Sequence, residues 1–111
     1  MTYRASAVVR CPDGGSIGLG GWASGSPGRA LGWVRKRAEQ VAEQLGAPYD
    51  GAVREWLADG DEYQWALYGL AGDVPFTLEA VDGDGCTYVL AVWAEWSDLA
   101  SRGREAAWLA A

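Results

Sequence analysis

The chain predicts an α+β fold. It reads as a single domain over residues 1–111, an antiparallel sheet of about five strands with three helices packed mainly on one face, in the order β-β-α-α-β-β-β-α. Three observations carry this. Segments near both ends alternate apolar and polar residues, the period of a half-buried strand. Residues 27–45 repeat their apolar positions every three or four, the period of an amphipathic helix. Pro12-Asp13-Gly14-Gly15 and Gly83-Asp84-Gly85 place turn chemistry between strand-like runs. Half of the residues are apolar, enough for a core without metal or disulfide staples.

The first strand runs from Tyr3 to Cys11, with Tyr3, Ala5, Ala7, Val9 and Cys11 on one face and Arg4, Ser6, Val8 and Arg10 on the other. A four-residue turn returns the chain along Ser16–Ala23 and sets Val8 against Leu19 and Ala7 against Gly20. Gly18 and Gly20 leave one face of this ribbon bare, and bare glycine in a strand implies a close neighbour. Ser26 is the helix cap and Pro27 the first helical residue. The stripe Leu31, Val34, Ala38, Val41, Leu45 carries the helix to Gly46, and Pro48 blocks continuation. Asp50 caps a second helix with Val53, Trp56 and Leu57 on one face, ended by Gly60.

Three strands are expected next: Glu62–Tyr68, Val74–Val81 and Cys86–Trp96. The last is apolar on both faces, as a central strand is. A three-residue loop at Gly83-Asp84-Gly85 pairs Leu78 with Leu90 and Phe76 with Val92, so that the apolar faces coincide and Gly85 takes the left-handed position. Ser97 or Asp98 caps a final helix with the stripe Leu99, Gly103, Ala106 and Ala110. The helices roof one sheet face, and nothing is expected to cover the other.

Lysine and arginine total 9, aspartate and glutamate 15, for a net charge of −6. That balance argues against sequence-independent binding to nucleic acid or to an anionic membrane. No apolar run is long enough to span a bilayer. Eight arginines against the single Lys36, the absence of asparagine, and a single isoleucine and phenylalanine point to a high-GC genome, that of a bacterium or its phage. No secretory signal is visible, so a cytoplasmic location with Cys11 and Cys86 as reduced thiols is the default expectation.

Seven tryptophans and no histidine define the functional expectation. Tryptophan supplies rigid contact area, and histidine most proton transfer near neutral pH. The composition therefore reads as a surface that grips. The leading expectation is a small acidic protein-binding module without catalysis, a stoichiometric partner, inhibitor or immunity-type factor, needing no cofactor or metal. Two surfaces are candidates. On the first helix, Trp33 lies off the apolar stripe among Arg29, Lys36 and Arg37, suited to an acidic partner. On the uncovered sheet face, Gln64, Ala66, Tyr68, Thr77, Glu79, Val89, Ala91, Trp93 and Glu95 form a platform between Tyr68 and Trp93, suited to a partner protein or a second copy. Trp56, Trp65 and Trp96 are expected in the core.

Weaker patterns are weighed against these. Gly18-Leu19-Gly20-Gly21-Trp22-Ala23 loosely matches a dinucleotide fingerprint, but its helix begins several residues late, behind Pro27. The alternative function is nevertheless a small-ligand pocket between this ribbon (Gly18, Gly20, Trp22) and the first helix. Asp82-Gly83-Asp84-Gly85 fails as a calcium loop because Cys86 and Trp93 stand where oxygen ligands belong. The expected hairpin register sets Asp73 opposite Glu95, a carboxylate pair that could share a proton or hold a metal and offers the least favoured reading, a carboxylate- or metal-dependent enzyme.

Overall fold

The computed structural model describes residues 1–95. They form β1 (Thr2–Arg10), β2 (Ser16–Ser24), α1 (Pro27–Leu45), α2 (Gly51–Ala58), α3 (Gly60–Ala71), β3 (Phe76–Val81) and β4 (Thr87–Glu95). The α+β class and the antiparallel sheet stand. The sheet has four strands rather than about five, in the order β2-β1-β4-β3. The three helices follow one another in the chain. The helix expected after Ser97, with Trp96 and Trp108, lies outside the described residues.

β1 and β4 pair along their full lengths, from Thr2↔Glu95 to Arg10↔Thr87. One face of the sheet carries Tyr3, Ala5, Ala7, Val9, Ala80, Tyr88, Leu90 and Val92, all buried. Against it pack Ala30, Leu31, Val34, Ala38 and Ala42 of α1, Val53 and Trp56 of α2 and Leu70 of α3. All three helices thus share one core and one side of the sheet. The α1 stripe is the expected one. Ser26 Oγ accepts the Arg29 N–H (3.3 Å), and Gly46 ends the helix with φ +66°.

The β3–β4 hairpin has the expected register, Phe76↔Val92 and Leu78↔Leu90, with Gly85 at φ +82°. The β1–β2 hairpin turns on three residues, not four. Cys11 N–H donates to Gly15 O (2.8 Å), and Gly14 takes the left-handed position at φ +89°. The shorter turn sets Val8 against Gly18 instead of Leu19. A bulge at Leu19 then restores the expected Ala7↔Gly20 pairing beyond it. Leu19, freed from the ladder, packs against the core. The bulge is the physical correction for the turn, since parity is all-or-none in a strand.

Glu62–Tyr68 is helical, not a strand. Asp59, in an extended conformation (φ −99°, ψ 97°), breaks α2 from α3 and accepts the Asp61 and Glu62 N–H groups at 3.0 and 3.1 Å. Asp61 and Glu62 also lie in the first turn, where carboxylates favour the helix dipole. Tyr63, Ala66, Leu67 and Leu70 recur at helical spacing and face the core. The alternation Tyr63, Trp65, Leu67 is coincidental. Gly60 therefore opens a helix as well as following one.

The expectation of reduced thiols is also overturned. Cys11 and Cys86 form a disulfide across a sequence separation of 75, with their Cα atoms 4.1 Å apart. They extend the β1–β4 ladder by one position past Arg10↔Thr87, so each sits at the base of one hairpin turn. The bridge borders a small cluster of Val9, Val41 and Tyr88.

Candidate protein-docking surface

Trp33 is half-buried, not presented outward. Glycine at position 20, with φ +129°, gives the reason. A Cβ there would lie 3.4 Å from Trp33 Cζ2 and 3.3 Å from Arg37 Nη2. The indole and the guanidinium both rest on bare β2 backbone, and Arg37 stacks over the Trp33 ring at 5.1 Å. Arg37 also donates to Gln40 Oε1 (2.9 Å). Arg29 and Lys36 are exposed. The expected Trp33 surface is therefore a self-satisfied cation–π pair with the exposed Arg29 and Lys36 beside it. Between this ribbon and α1 a cavity of about 140 Å³ remains, lined by Ala7, Leu19, Arg37, Gln40, Val41 and Gln44. None of Gly18, Gly20 and Trp22 lines it, and it falls below the roughly 300 Å³ of ordinary ligand pockets. A Cβ at Gly18 would meet nothing within 4 Å, contrary to the expectation that another backbone packs over it.

The second sheet face carries none of the core residues. Across its rows stand Gly18, Val8, Val89 and Glu79; then Gly21, Ser6, Ala91 and Thr77; then Ala23, Arg4 and Trp93. Among the described residues no helix packs on it. Trp93 is 38% exposed, and beside it Arg4 Nε donates to Glu95 Oε2 at 2.8 Å. Tyr68, Gln64 and Ala66 do not belong to this face, because they ride on α3. Asp73 is also absent from it. Asp73 sits in the turn after α3 with φ +69°, while Glu95 pairs with Thr2 and Arg4, so the expected carboxylate pair does not form. Among the described residues no group of three or more His, Cys, Asp or Glu is placed to hold a metal.

Among the described residues the most exposed aromatic surface joins Trp65, expected in the core, to Tyr68, expected on the open sheet face. Trp65 and Tyr68 are each 71% exposed, one helical turn apart on α3, with ring centroids 6.3 Å apart in an edge-to-face arrangement. The turn after α3 folds back, Val74 N–H donating to Gly69 O at 2.7 Å. A Cβ at Gly69 would meet Val74 Cβ at 3.6 Å, an ordinary contact distance. The result is a cavity of about 230 Å³ walled by Trp65, Gly69, Val74, Pro75 and Phe76, with Glu62 at its rim. Val74 is itself 59% exposed. No protein-family model, curated protein or solved structure matches the chain. Its function must therefore be argued from this surface.

Trp65 was concealed by the misread period. Once residues 60–71 are a helix, Tyr63, Ala66, Leu67 and Leu70 take the inner face, and Trp65 and Tyr68 are forced outward by the 100° step. Asp59 followed by two acidic residues was the signal that would have found it. By contrast Trp56 is core as expected, 8% exposed between Tyr63 and Phe76.

Proposed function

We propose that this protein is a non-catalytic protein-binding module and that Trp65, Tyr68 and Val74 form its docking surface. The observation that carries the reading is the outward Trp65–Tyr68 pair beside an apolar cavity. Large aromatic rings held in place by a helix, next to a groove that can take an anchoring side chain, are the composition of an interface hot spot. The expected roles as stoichiometric partner, inhibitor or immunity-type factor all fit such a surface. Trp33, Arg29, Lys36 and Arg37 become secondary contacts in this reading, because the Trp33 ring is already occupied by Arg37. A second reading keeps the open sheet face with Trp93 as the docking site, favoured by the lack of any covering helix among the described residues. Self-association belongs to that second reading.

The test compares capture by the intact protein with capture by Trp65→Ala/Tyr68→Ala and by Trp93→Ala, in extracts of the native host. Loss of a stoichiometric partner with the first variant alone supports the proposal. Loss with Trp93→Ala alone transfers it to the sheet face, and capture that survives both variants ends it. A cytoplasmic setting remains part of the proposal. Reductants there would act on the Cys11–Cys86 bridge, and thiol trapping in intact cells reports whether it stays closed.

A further inference from the structure

We infer that the Trp65–Tyr68 surface takes a cationic side chain, an arginine or lysine, on an otherwise apolar segment of its protein partner. This rests on the docking surface proposed above and adds the chemistry of its occupant. Trp33 and Tyr63 each already carry a guanidinium from within the chain, Arg37 at 5.1 Å and Arg35 at 5.5 Å from the ring centroids. Among the described residues no such cation lies over Trp65 or Tyr68, although both are far more exposed. The charges that flank them are negative. Asp61 and Glu62 precede Trp65 by four and three residues and Glu62 rims the cavity. Glu55 and Asp59 stand together with Asp61 at the α2–α3 corner.

A cation on these rings gains twice. The ring quadrupole attracts it, and the neighbouring carboxylates raise its local concentration. Arginine is the better fit, because its planar guanidinium stacks on an indole and reaches a carboxylate with the same fork. The apolar part of the segment has the cavity bounded by Val74, Pro75 and Phe76. The same carboxylates make an acidic occupant unfavourable, so the surface discriminates by charge as well as by shape.

The test uses the whole chain and three short blocked peptides, alternating leucine with arginine, with glutamine or with glutamate. The indole N–H resonances are followed by NMR, with Trp65 assigned from Trp65→Phe. The arginine peptide is expected to move the Trp65 signal and to bind about three- to ten-fold more tightly than the glutamine peptide. Asp61→Asn/Glu62→Gln is expected to remove most of that preference, and added salt to weaken it. Equal binding of the arginine and glutamine peptides overturns the cationic inference while leaving the docking surface intact. An arginine peptide that moves other indoles but not Trp65, or no peptide binding at Trp65, overturns it as well.

Discussion

Removing the Cys11–Cys86 bridge is expected to cost the fold about 4–5 kcal/mol. The bridge closes a loop across a sequence separation of 75. In the chain-entropy relation a loop of that length restricts the unfolded ensemble by about 4.5 kcal/mol at 25 °C. Unfolding entropy of about 2 cal/mol/K per residue turns this into a fall of roughly 20 °C in Tm for a domain of this size. The perturbation is best made in two ways, by reduction of the native protein and by Cys11→Ala/Cys86→Ala. Both sulfurs border the Val9, Val41 and Tyr88 cluster, and the alanine pair changes that packing whereas reduction does not. Thermal and urea unfolding followed by far-ultraviolet circular dichroism give Tm, the midpoint and m. The open chain unfolds to a more expanded state, so m should rise as stability falls. Oxidised and reduced protein of equal stability, within about 1 kcal/mol, would refute the loop-closure reasoning. Free thiols in the native protein would remove its premise.

Three further outcomes follow from the packing. Gly20→Ala should cost about 2 kcal/mol, because φ +129° strains any L side chain and the new methyl meets Trp33 and Arg37; the Trp33 indole signal should shift with it, and an unchanged melting temperature would count against the close packing. Leu31→Ala, at a site with no solvent exposure, should cost about 3–5 kcal/mol in urea unfolding. Trp56→Phe should change stability by less than about 1 kcal/mol, since among the described residues the buried Trp56 Nε1 has no hydrogen-bond partner and losing that donor offsets the smaller ring; a loss above about 3 kcal/mol would refute that offset.

The parts of this fold governed by a single period were legible in the residues. The stripe from Leu31 to Leu45 gave α1 its bounds, with Ser26 and Gly46 at its ends as capping chemistry requires. Parity gave the β3–β4 register from the need to bring Phe76, Leu78, Leu90 and Val92 onto one face. Residues 60–71 were not legible by the same means. Over seven residues Tyr63, Trp65 and Leu67 satisfy a strand period, while Tyr63, Ala66, Leu67 and Leu70 satisfy a helical one, and only the cap at Asp59 separates the two. That one ambiguity moved Trp65 from core to surface and Tyr68 from sheet to helix, and with them the candidate site. The bulge at Leu19 depended on turn length, which Pro12-Asp13-Gly14-Gly15 leaves open between three and four. The bridge depended on the long-range pairing of β1 with β4, which no local pattern encodes.

The pairing of Thr2 with Glu95 has a consequence for how the protein is made. During synthesis β1 leaves the ribosome well before its central partner β4, so the middle of the sheet cannot zip until nearly the whole described chain has emerged. The local β1–β2 ribbon and the helices can form before then, α1 covering Ala5, Ala7 and Val9 while the β4-facing edge of β1 stays unpaired. Closure of the sheet centre therefore waits for β4 and is a large, slow step. Release of a chain stalled short of β4 would leave that ribbon with two unpaired edges, a form that chaperones must hold or proteases remove.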